Sequence, residues 1–302
     1  MKKLVLHTAV TMAVLSAPYA AAAPIQLSEA FNYNAFIFND YTGNQSDVEG
    51  KLAVGGDLMV EDFDVGLLLK PDLASSALYV GGDMDYIRGQ VHGGQVTVSG
   101  MISASQVSFD GALNAVGNVS VNGGNVETGG IFTKGDASLE YAGINSGDIE
   151  AEGAVSIKNA GLDDGEVIYG TTLTVVDGNN GNNATHDPTN TVDVNNLDFA
   201  AIANEVTAQS SAFAKMDVNG TTTLKCGAVD CTDATTQTID TIVFSGTDDV
   251  NIYSINTEWF SAADKGIHFD FSTTSYNIIN VYGKQVELFN TGFFNTAFTQ
   301  EN

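Results

Sequence analysis

The amino-acid sequence predicts a mainly β protein, a β-solenoid with one long α-helix packed alongside. Between residues 50 and 170, glycines bracket short runs in which apolar and polar residues alternate. The stretch "LAVGGDLMV" at residue 52 recurs as "LYVGGDMDY" at residue 78, which is typical of a repeated coil. One segment, which starts near Asn195, instead has the spacing of a helix.

The N-terminus predicts a secretory signal peptide over residues 1–22. Lys2 and Lys3 precede an apolar run from Leu4 to Leu15, and small residues follow that run. The run is shorter than the roughly 20 residues that a transmembrane helix needs. We therefore expect cleavage after Ala22, a single solenoid domain over residues 23–302 without a membrane span, and a secreted or cell-surface location.

The charge of the mature chain limits its partners. The whole chain has 37 acidic and 11 basic residues, and cleavage removes two lysines, which leaves 37 against 9 and a formal charge of −28. Such a surface repels nucleic acid and anionic lipid, because it lacks the basic patch that phosphate groups require. It attracts divalent cations instead.

The strands of the first half are short. Triplets such as Val96–Val98, Val119–Val121 and Val155–Ile157 direct apolar side chains to one face and Thr or Ser to the other, and they recur at irregular intervals. Short strands with glycine corners fit a sandwich, a barrel or a solenoid. The brevity of the runs and the position of the glycines favour stacked coils.

The helix is predicted over Leu197–Lys215, with Asn195 or Asn196 as its N-cap. Its small residues are expected to pack against the β-column; they are Ala200, Ala201, Asn204, Ala208 and Ser211. The Asn- and Gly-rich residues 175–191 before it predict a mobile polar loop. After the helix, strands resume in what we expect to be the same continuous architecture.

The two cysteines, Cys226 and Cys231, lie in "KCGAVDC". In an exported chain this spacing predicts a local disulfide that closes a tight loop. No further soft ligands lie near them in the sequence, so a metal site is not favoured.

The acidic residues of "SDVEGKLAVGGD" allow two interpretations. Asp47, Glu49 and Asp57 supply hard oxygens and are candidate ligands for Ca²⁺, the one cofactor that the sequence suggests. Alternatively, such residues occupy solenoid corners and bind backbone amides. We interpret the stretch as the first corner and first full coil, and the calcium site stays open beside that interpretation.

Catalytic motifs are sparse, and we assign no catalytic residue. No two histidines have the spacing of zinc ligands, and the Gly-x-Ser-x-Gly motif is absent from the sequence. Asp83, Asp85 and Arg88 form the one compact acid–base cluster, of the kind that a polysaccharide-cleaving β-helix could use. An enzyme of that class is therefore an alternative.

The N-terminal motif resembles that of the choice-of-anchor A family. The matching residues are Phe31–Phe38, Asp40, Ser46, Asp47, Val48, Glu49, Gly50, Gly55 and Gly56, with Asp198–Phe199 at the helix. The resemblance covers residues 29–290, although Asn39 and Lys51 stand where that family commonly has Gly and Arg. It implies an exported bacterial adhesive domain and no catalytic residues.

These observations predict an adhesin-like, non-catalytic domain that attaches to an extracellular glycan or matrix protein. An ice-binding β-solenoid is a second alternative, but it needs a flat array of Thr at the coil period. The Thr residues cluster instead in residues 221–223 and 235–238.

Overall fold

The computed structural model describes residues 27–180, 183–263, 266–272, 274–286 and 292–295. Residues 35–180 and 183–186 form a β-solenoid of about eight turns, which confirms the predicted fold class. The predicted signal peptide lies outside the described residues. No helix in the described ranges combines the length and apolar character needed to cross a membrane.

Each coil contributes strands to two parallel sheets. The first sheet consists of β1 (Ala35–Ile37), β3 (Leu52–Val54), β5 (Ser76–Val80), β7 (Gln95–Val98), β9 (Leu113–Ala115), β11 (Gly129–Thr133), β14 (Gly147–Ala151), β17 (Glu166–Tyr169) and β20 (Asn183–His186). The second sheet consists of β2 (Tyr41–Val48), β4 (Leu58–Val65), β6 (Met84–Val91), β8 (Ile102–Phe109), β10 (Val119–Val126), β12 (Ala137–Glu140), β15 (Val155–Lys158) and β18 (Leu173–Val176), continued by β13 (Gly143–Ile144), β16 (Gly161–Leu162) and β19 (Asn179–Asn180).

A left-handed residue bends the second sheet once in every coil. Its φ lies between +46° and +74° at Gln45, Asp62, Arg88, Gln106, Gly123, Tyr141, Asn159 and Asp177. The solenoid therefore has three faces. Face 1 is the outer side of the first sheet, face 2 is the part of the second sheet before the bend, and face 3 is the part after it.

The coils have nearly constant length, with one exception. In the first sheet, Ile131, Ile149 and Val167 follow one another at a constant interval of 18. Leu52 instead pairs with Leu78, at an offset of 26, because this longer coil contains the surface loop between β4 and β5. The triplets are irregularly spaced in the sequence because Val96–Val98 belongs to the first sheet and the other two to the second.

The interior of the solenoid is one continuous apolar column. Leu52, Leu78, Leu113 and Ile131 are fully buried in the first sheet, and corresponding residues of the second sheet face them. A single coil could not exclude water from its own apolar side chains, so the coils bury this column only when they are stacked.

After the last coil, the chain returns along face 1. The backbone N–H of the buried Val192 donates to Glu152 Oε1 at 2.9 Å. Farther along, Asn196 Nδ2 donates to the carbonyl of Val80 at 2.7 Å and to Ser99 Oγ at 2.6 Å. The return segment therefore covers face 1 and leaves faces 2 and 3 open.

The predicted helix is confirmed as α1 (Phe199–Phe213), but two details are wrong. Its N-cap is Asp198, which accepts from Ala201 N at 2.9 Å, because Asn196 is bound to the solenoid. The buried side of α1 is formed by Ile202, Val206 and Phe213, while the small residues Ala200, Ala201, Asn204, Ala208 and Ser211 are more exposed. The larger apolar residues bury more area and so decide the packing.

Residues 175–191 are not the predicted loop, since most of them form the last coil. β19 and β20 pair with the preceding coil, and Asn179 Nδ2 donates to the carbonyl of Leu162 at 2.8 Å. Asn and Gly are suited to the corners of this coil, so a polar composition did not mean an absence of strands.

The strands after α1 form a separate core. One sheet contains β21 (Thr221–Cys226), β22 (Val229–Asp230), β23 (Thr241–Ser245), β25 (Gly266–Asp270) and β27 (Phe293–Asn295), and another pairs β24 (Val250–Asn256) with β26 (Tyr276–Tyr282), with α2 (Thr257–Ser261) between. Ile242, Phe244, Tyr253 and Ile267 form its centre. The expected continuous architecture is therefore wrong, because these strands do not extend the apolar column; the domain boundaries stay a prediction.

The Cys226–Cys231 disulfide is present, as predicted, and its Cα atoms lie 5.0 Å apart. It closes the β21–β22 hairpin, in which Cys226 pairs with Val229.

Candidate binding face

A row of hydroxyl groups runs along face 2. Ser103, Ser120, Ser138, Ser156 and Thr174 are paired in register across five successive coils. Adjacent strands lie about 4.8 Å apart, so the hydroxyls repeat at that interval. Their neighbours within each strand, such as Val119 and Val121, point into the core, which leaves the hydroxyl side chains directed outward.

A second row lies beside the first. It consists of Ser105, Asn122, Glu140, Lys158 and Val176, and Lys158 Nζ bonds Glu140 Oε1 at 2.6 Å. The ten residues of the two rows, here named the hydroxyl strip, contain one acid and one base that are paired. The strip therefore carries no net charge, on a chain whose formal charge is −26.

The strands of the strip keep one register. From β8 to β18, each residue of the strip pairs with its counterpart in the next coil without a shift. Face 1, by contrast, is covered by the return segment and α1, where Phe199 contacts Phe36 at a ring-centroid distance of 5.5 Å. Face 2 is thus an open surface of the solenoid with its side chains in register.

The N-terminal part of face 2 and the bend beside it differ from the strip because they carry charged side chains. Arg88 bonds Asp62 through Nε at 2.6 Å and also bonds Glu61. The hydrogen bond and the charge of Arg88 lower the pKa of the Asp62 carboxyl. Met59 beside them is 58% exposed.

Asp57, a candidate calcium ligand, lies at a corner between coils. Its Oδ1 accepts from the backbone N–H of Asp83 at 2.8 Å, and its own N–H donates to Asp40 Oδ1 at 2.9 Å. Asp83 in turn accepts from Met101 N at 2.8 Å. A Cβ on Gly82 would lie 2.1 Å from Asp57 Oδ1, so the glycine before Asp83 makes room for the carboxylate of the previous coil.

Asp47 and Glu49 lie apart from that corner hydrogen bond. Asp47 is exposed on face 3, where it pairs with Asp64, and Glu49 follows in the turn after Val48. Within the described residues, no group of three or more His, Cys, Asp or Glu side chains is placed to hold a metal ion. Calcium binding by Asp47, Glu49 and Asp57 stays a prediction.

The other motif residues have structural roles in the first coil. A Cβ on Gly50 would lie 1.8 Å from Asn34 Oδ1, and one on Gly55 would lie 2.6 Å from the carbonyl of Phe38. Gly56 leaves room for Asp40 in the same way. Ser46 is exposed on face 3, whereas Val48 packs against the apolar column.

The structure does not join Asp83, Asp85 and Arg88 into one acid–base site. Asp83 binds the backbone of the next coil, and Arg88 binds Glu61 and Asp62. Asp85 lies on face 2, where it pairs with Met59 and Ser103. Among the described residues, no hydrogen bond or ion pair connects the three.

The hydroxyl strip was not predicted from the sequence, although its signal was present. Ser103, Ser120, Ser138 and Ser156 recur once in every coil. The expected array was one of Thr, whereas most of this row is Ser, and the coil length follows only from the pairing of the strands.

Comparisons with known proteins indicate an adhesive family. No curated protein matches the chain. A solved structure, the tapirin C-terminal domain of Caldicellulosiruptor kristjanssonii, is similar at 11% identity and a TM-score of 0.31, over 89% of this chain and 94% of that one. A family model described as "Putative Ice-binding-like adhesive domain" matches residues 26–115 and 102–302, nearly the whole length. The chain therefore belongs to this family of ice-binding-like adhesive domains.

Proposed function

We propose that the protein is a non-catalytic adhesin-like domain that attaches to a neutral extracellular polymer through the hydroxyl strip. The observation that carries the proposal is the uncharged, in-register double row on a strongly acidic chain. Membership of an adhesive-domain family supports an adhesive role.

The chemistry of the strip favours a glycan with uncharged sugars. Ser and Thr hydroxyls both donate and accept hydrogen bonds, and their repeat along the face presents many equivalent sites. Each contact to a sugar hydroxyl is weak, but contacts in a row act together and raise the overall affinity. The acidic remainder of the surface repels polyanions, so charged polymers are disfavoured.

Export to the cell surface or medium is part of the same proposal. The signal-peptide pattern of residues 1–22 and the disulfide Cys226–Cys231 support it, because disulfides persist in oxidising compartments. The resemblance of residues 46–56 to the choice-of-anchor A motif supports a bacterial surface adhesin in particular. A protein matrix is an alternative partner within this proposal.

The test places charge on the strip. In a double variant, Ser120→Glu with Ser156→Glu, two carboxylates would lose hydration on contact with a neutral polymer. We expect at least tenfold weaker retention on a panel of insoluble neutral polysaccharides, equivalent to about 1.4 kcal/mol. The matched control, Ser108→Glu with Ser146→Glu, adds the same charge away from face 2, and it should bind like the parent protein.

Equal retention of both variants, or no retention of the parent protein on any polymer, would refute the strip as the adhesive face. A hydrolysis assay on the same polysaccharides tests the enzyme alternative. Product release that Asp83→Ala abolishes would replace the adhesin with a glycan-cleaving enzyme.

Ice is the second candidate ligand, favoured by the family description and by the in-register row at the coil period. Most of the row is Ser, which lacks the methyl group of Thr, so we expect weak or no inhibition of ice recrystallisation. Strong inhibition that the Ser120→Glu, Ser156→Glu variant loses would make ice the ligand of the strip.

A further inference from the structure

We propose that a groove in the C-terminal sheet region binds a neutral sugar through adjacent hydroxyl groups. The groove has a volume of about 590 Å³ and is lined mainly by polar residues at the ends of β21, β23 and β25. It lies outside the solenoid strands that form the hydroxyl strip. Its size is within the range of small-ligand sites, about 300–1,000 Å³.

One wall of the groove is fixed before any ligand arrives. Asn219 Nδ2 donates to Asp248 Oδ2 at 2.8 Å, and Asn219 Oδ1 accepts from Ile252 N at 2.7 Å. Asn251, which is 1% exposed, binds both the N–H and the carbonyl of Asp248. A wall held in this way costs little ordering entropy when a ligand binds.

Gly246 forms part of the lining, and its backbone packs directly on buried side chains. A Cβ on Gly246 would lie 2.3 Å from Asn251 Oδ1 and 2.7 Å from the hydroxyl of Tyr253, so the backbone lies directly on these groups. The half-buried Phe271 stands beside it, with its ring 6.3 Å from Tyr253 and 5.5 Å from Phe269. Such a rigid ring offers an apolar surface to the C–H groups of a sugar.

The acceptor for sugar hydroxyls is Asp270. Its carboxylate is exposed in the groove and has no hydrogen-bond partner among the described residues. Burial, followed by the negative charge of Asp270, raises the pKa of Tyr253 to about 12, which agrees with a carboxylate close to the floor. Two carboxylate oxygens can accept from two neighbouring hydroxyls.

The same residues select against charged ligands. Asp248 and Asp270 repel uronic and other acidic sugars. They are also too few for calcium, which takes 6–8 oxygen ligands, and the amide N–H of Asn219 points at the Asp248 carboxylate. A neutral sugar with adjacent hydroxyls is therefore the ligand class that fits.

Saturation-transfer NMR tests this with methyl glycosides of glucose, galactose, mannose and N-acetylglucosamine, in the presence of EDTA. We expect at least one to bind, and Asp270→Asn to weaken it about tenfold or more, since the amide nitrogen cannot accept from the second hydroxyl and the negative charge is lost. The control is Asp249→Asn, which removes the same charge beside the groove without lining it. It should leave the affinity unchanged.

Three results would overturn the proposal: no binding of any glycoside, equal binding by Asp270→Asn, or Ca²⁺ binding at Asp270 without sugar binding when EDTA is left out. The Ser120→Glu, Ser156→Glu variant should retain the groove's affinity. A failure of this site is therefore distinguishable from a failure of the strip.

Discussion

At the residue scale, the adjacent positions Gly123 and Gly124 differ in whether they tolerate a side chain. Gly123 occupies the left-handed bend position, which the other coils fill with residues such as Tyr141 and Asn159. Gly124, the next residue, has φ +82°, and a Cβ there would lie 2.0 Å from the carbonyl oxygen of Val107. The bend tolerates a side chain, whereas the position after it in this coil does not.

This difference predicts opposite outcomes at adjacent positions. Gly123→Asn should change the free energy of unfolding by no more than about 0.5 kcal/mol, because Asn tolerates the left-handed region and the nearest atom is 3.5 Å from the new Cβ. Gly124→Ala should cost about 3 kcal/mol, because it adds a backbone clash to left-handed strain. Urea unfolding of both variants measures the difference, and equal destabilisation would contradict the bend assignment.

The corner aspartates give a second prediction at this scale. Asp83→Ala removes the acceptor for Met101 N and should lower the free energy of unfolding by about 1 kcal/mol, since water replaces the bond only in part. Asp85→Ala is the control, because its carboxylate has no hydrogen-bond partner among the described residues. If thermal unfolding shows equal melting temperatures for the two variants, the corner bond adds nothing to stability.

At the element scale, the covering of face 1 places an acid in an unfavourable environment. Glu150 lies in the middle of β14, between Phe132 and Ile168 of the adjacent strands. Partial burial, followed by the charge of Asp148, raises the pKa of Glu150 above its ordinary value. The ionised carboxylate is therefore less stable in the folded protein than in the unfolded chain.

Because the pKa of Glu150 is raised, we expect Glu150→Gln to increase the stability of the protein in a pH-dependent way. Below about pH 4 the carboxyl is protonated in both states and the substitution should be neutral. As the pH rises through the raised pKa, Glu150 ionises in its partly buried position and the free energy of unfolding of the parent protein falls. The Gln variant does not ionise, so it keeps its stability. We expect the variant to melt about 1–2 °C higher at pH 7 and at the same temperature near pH 4. A difference independent of pH would contradict the role of ionisation.

The disulfide hairpin gives a further prediction for one element. Cys226 and Cys231 have a sequence separation of 5, so closing their loop stabilises the fold by about 2 kcal/mol in the chain-entropy model. Cys226→Ser with Cys231→Ser should reduce the free energy of unfolding by that amount. The same change should appear when the parent protein is reduced, and a reduced parent that unfolds like the oxidised one would contradict it.

Sequence patterns predicted the type of each element better than the residues at which it begins and ends. The solenoid followed from glycine-bracketed alternation, and the helix from its spacing. The cap at Asp198 did not, because Asn196 is equally suited to capping and only its contacts with Val80 and Ser99 exclude it. The hydroxyl strip required the coil length, and the longer coil between Leu52 and Leu78 hid that length in the sequence.

At the scale of the whole molecule, the net charge of −26 contrasts with the neutral strip. Repulsion among the acids opposes folding, so added sodium chloride should raise the melting temperature. The predicted calcium site should add to this effect.

We expect millimolar CaCl₂ to raise the melting temperature more than NaCl of equal ionic strength. The variant Asp47→Asn with Glu49→Gln should lose the additional gain; Asp57 is left intact because it bonds Asp83 N. If the calcium gain is the same in this variant, general screening of the surface explains it.

Because the coils keep a constant register, the number of coils sets the length of the solenoid. Each coil from β9 to β20 adds about 4.8 Å of length and one rung of outward side chains. In-frame duplication of one coil would therefore lengthen the binding face without altering its cross-section, whereas gain of a single residue inside a strand would turn core side chains outward. Evolution can adjust the reach of such a molecule in whole steps, by copying a gene segment of fixed size.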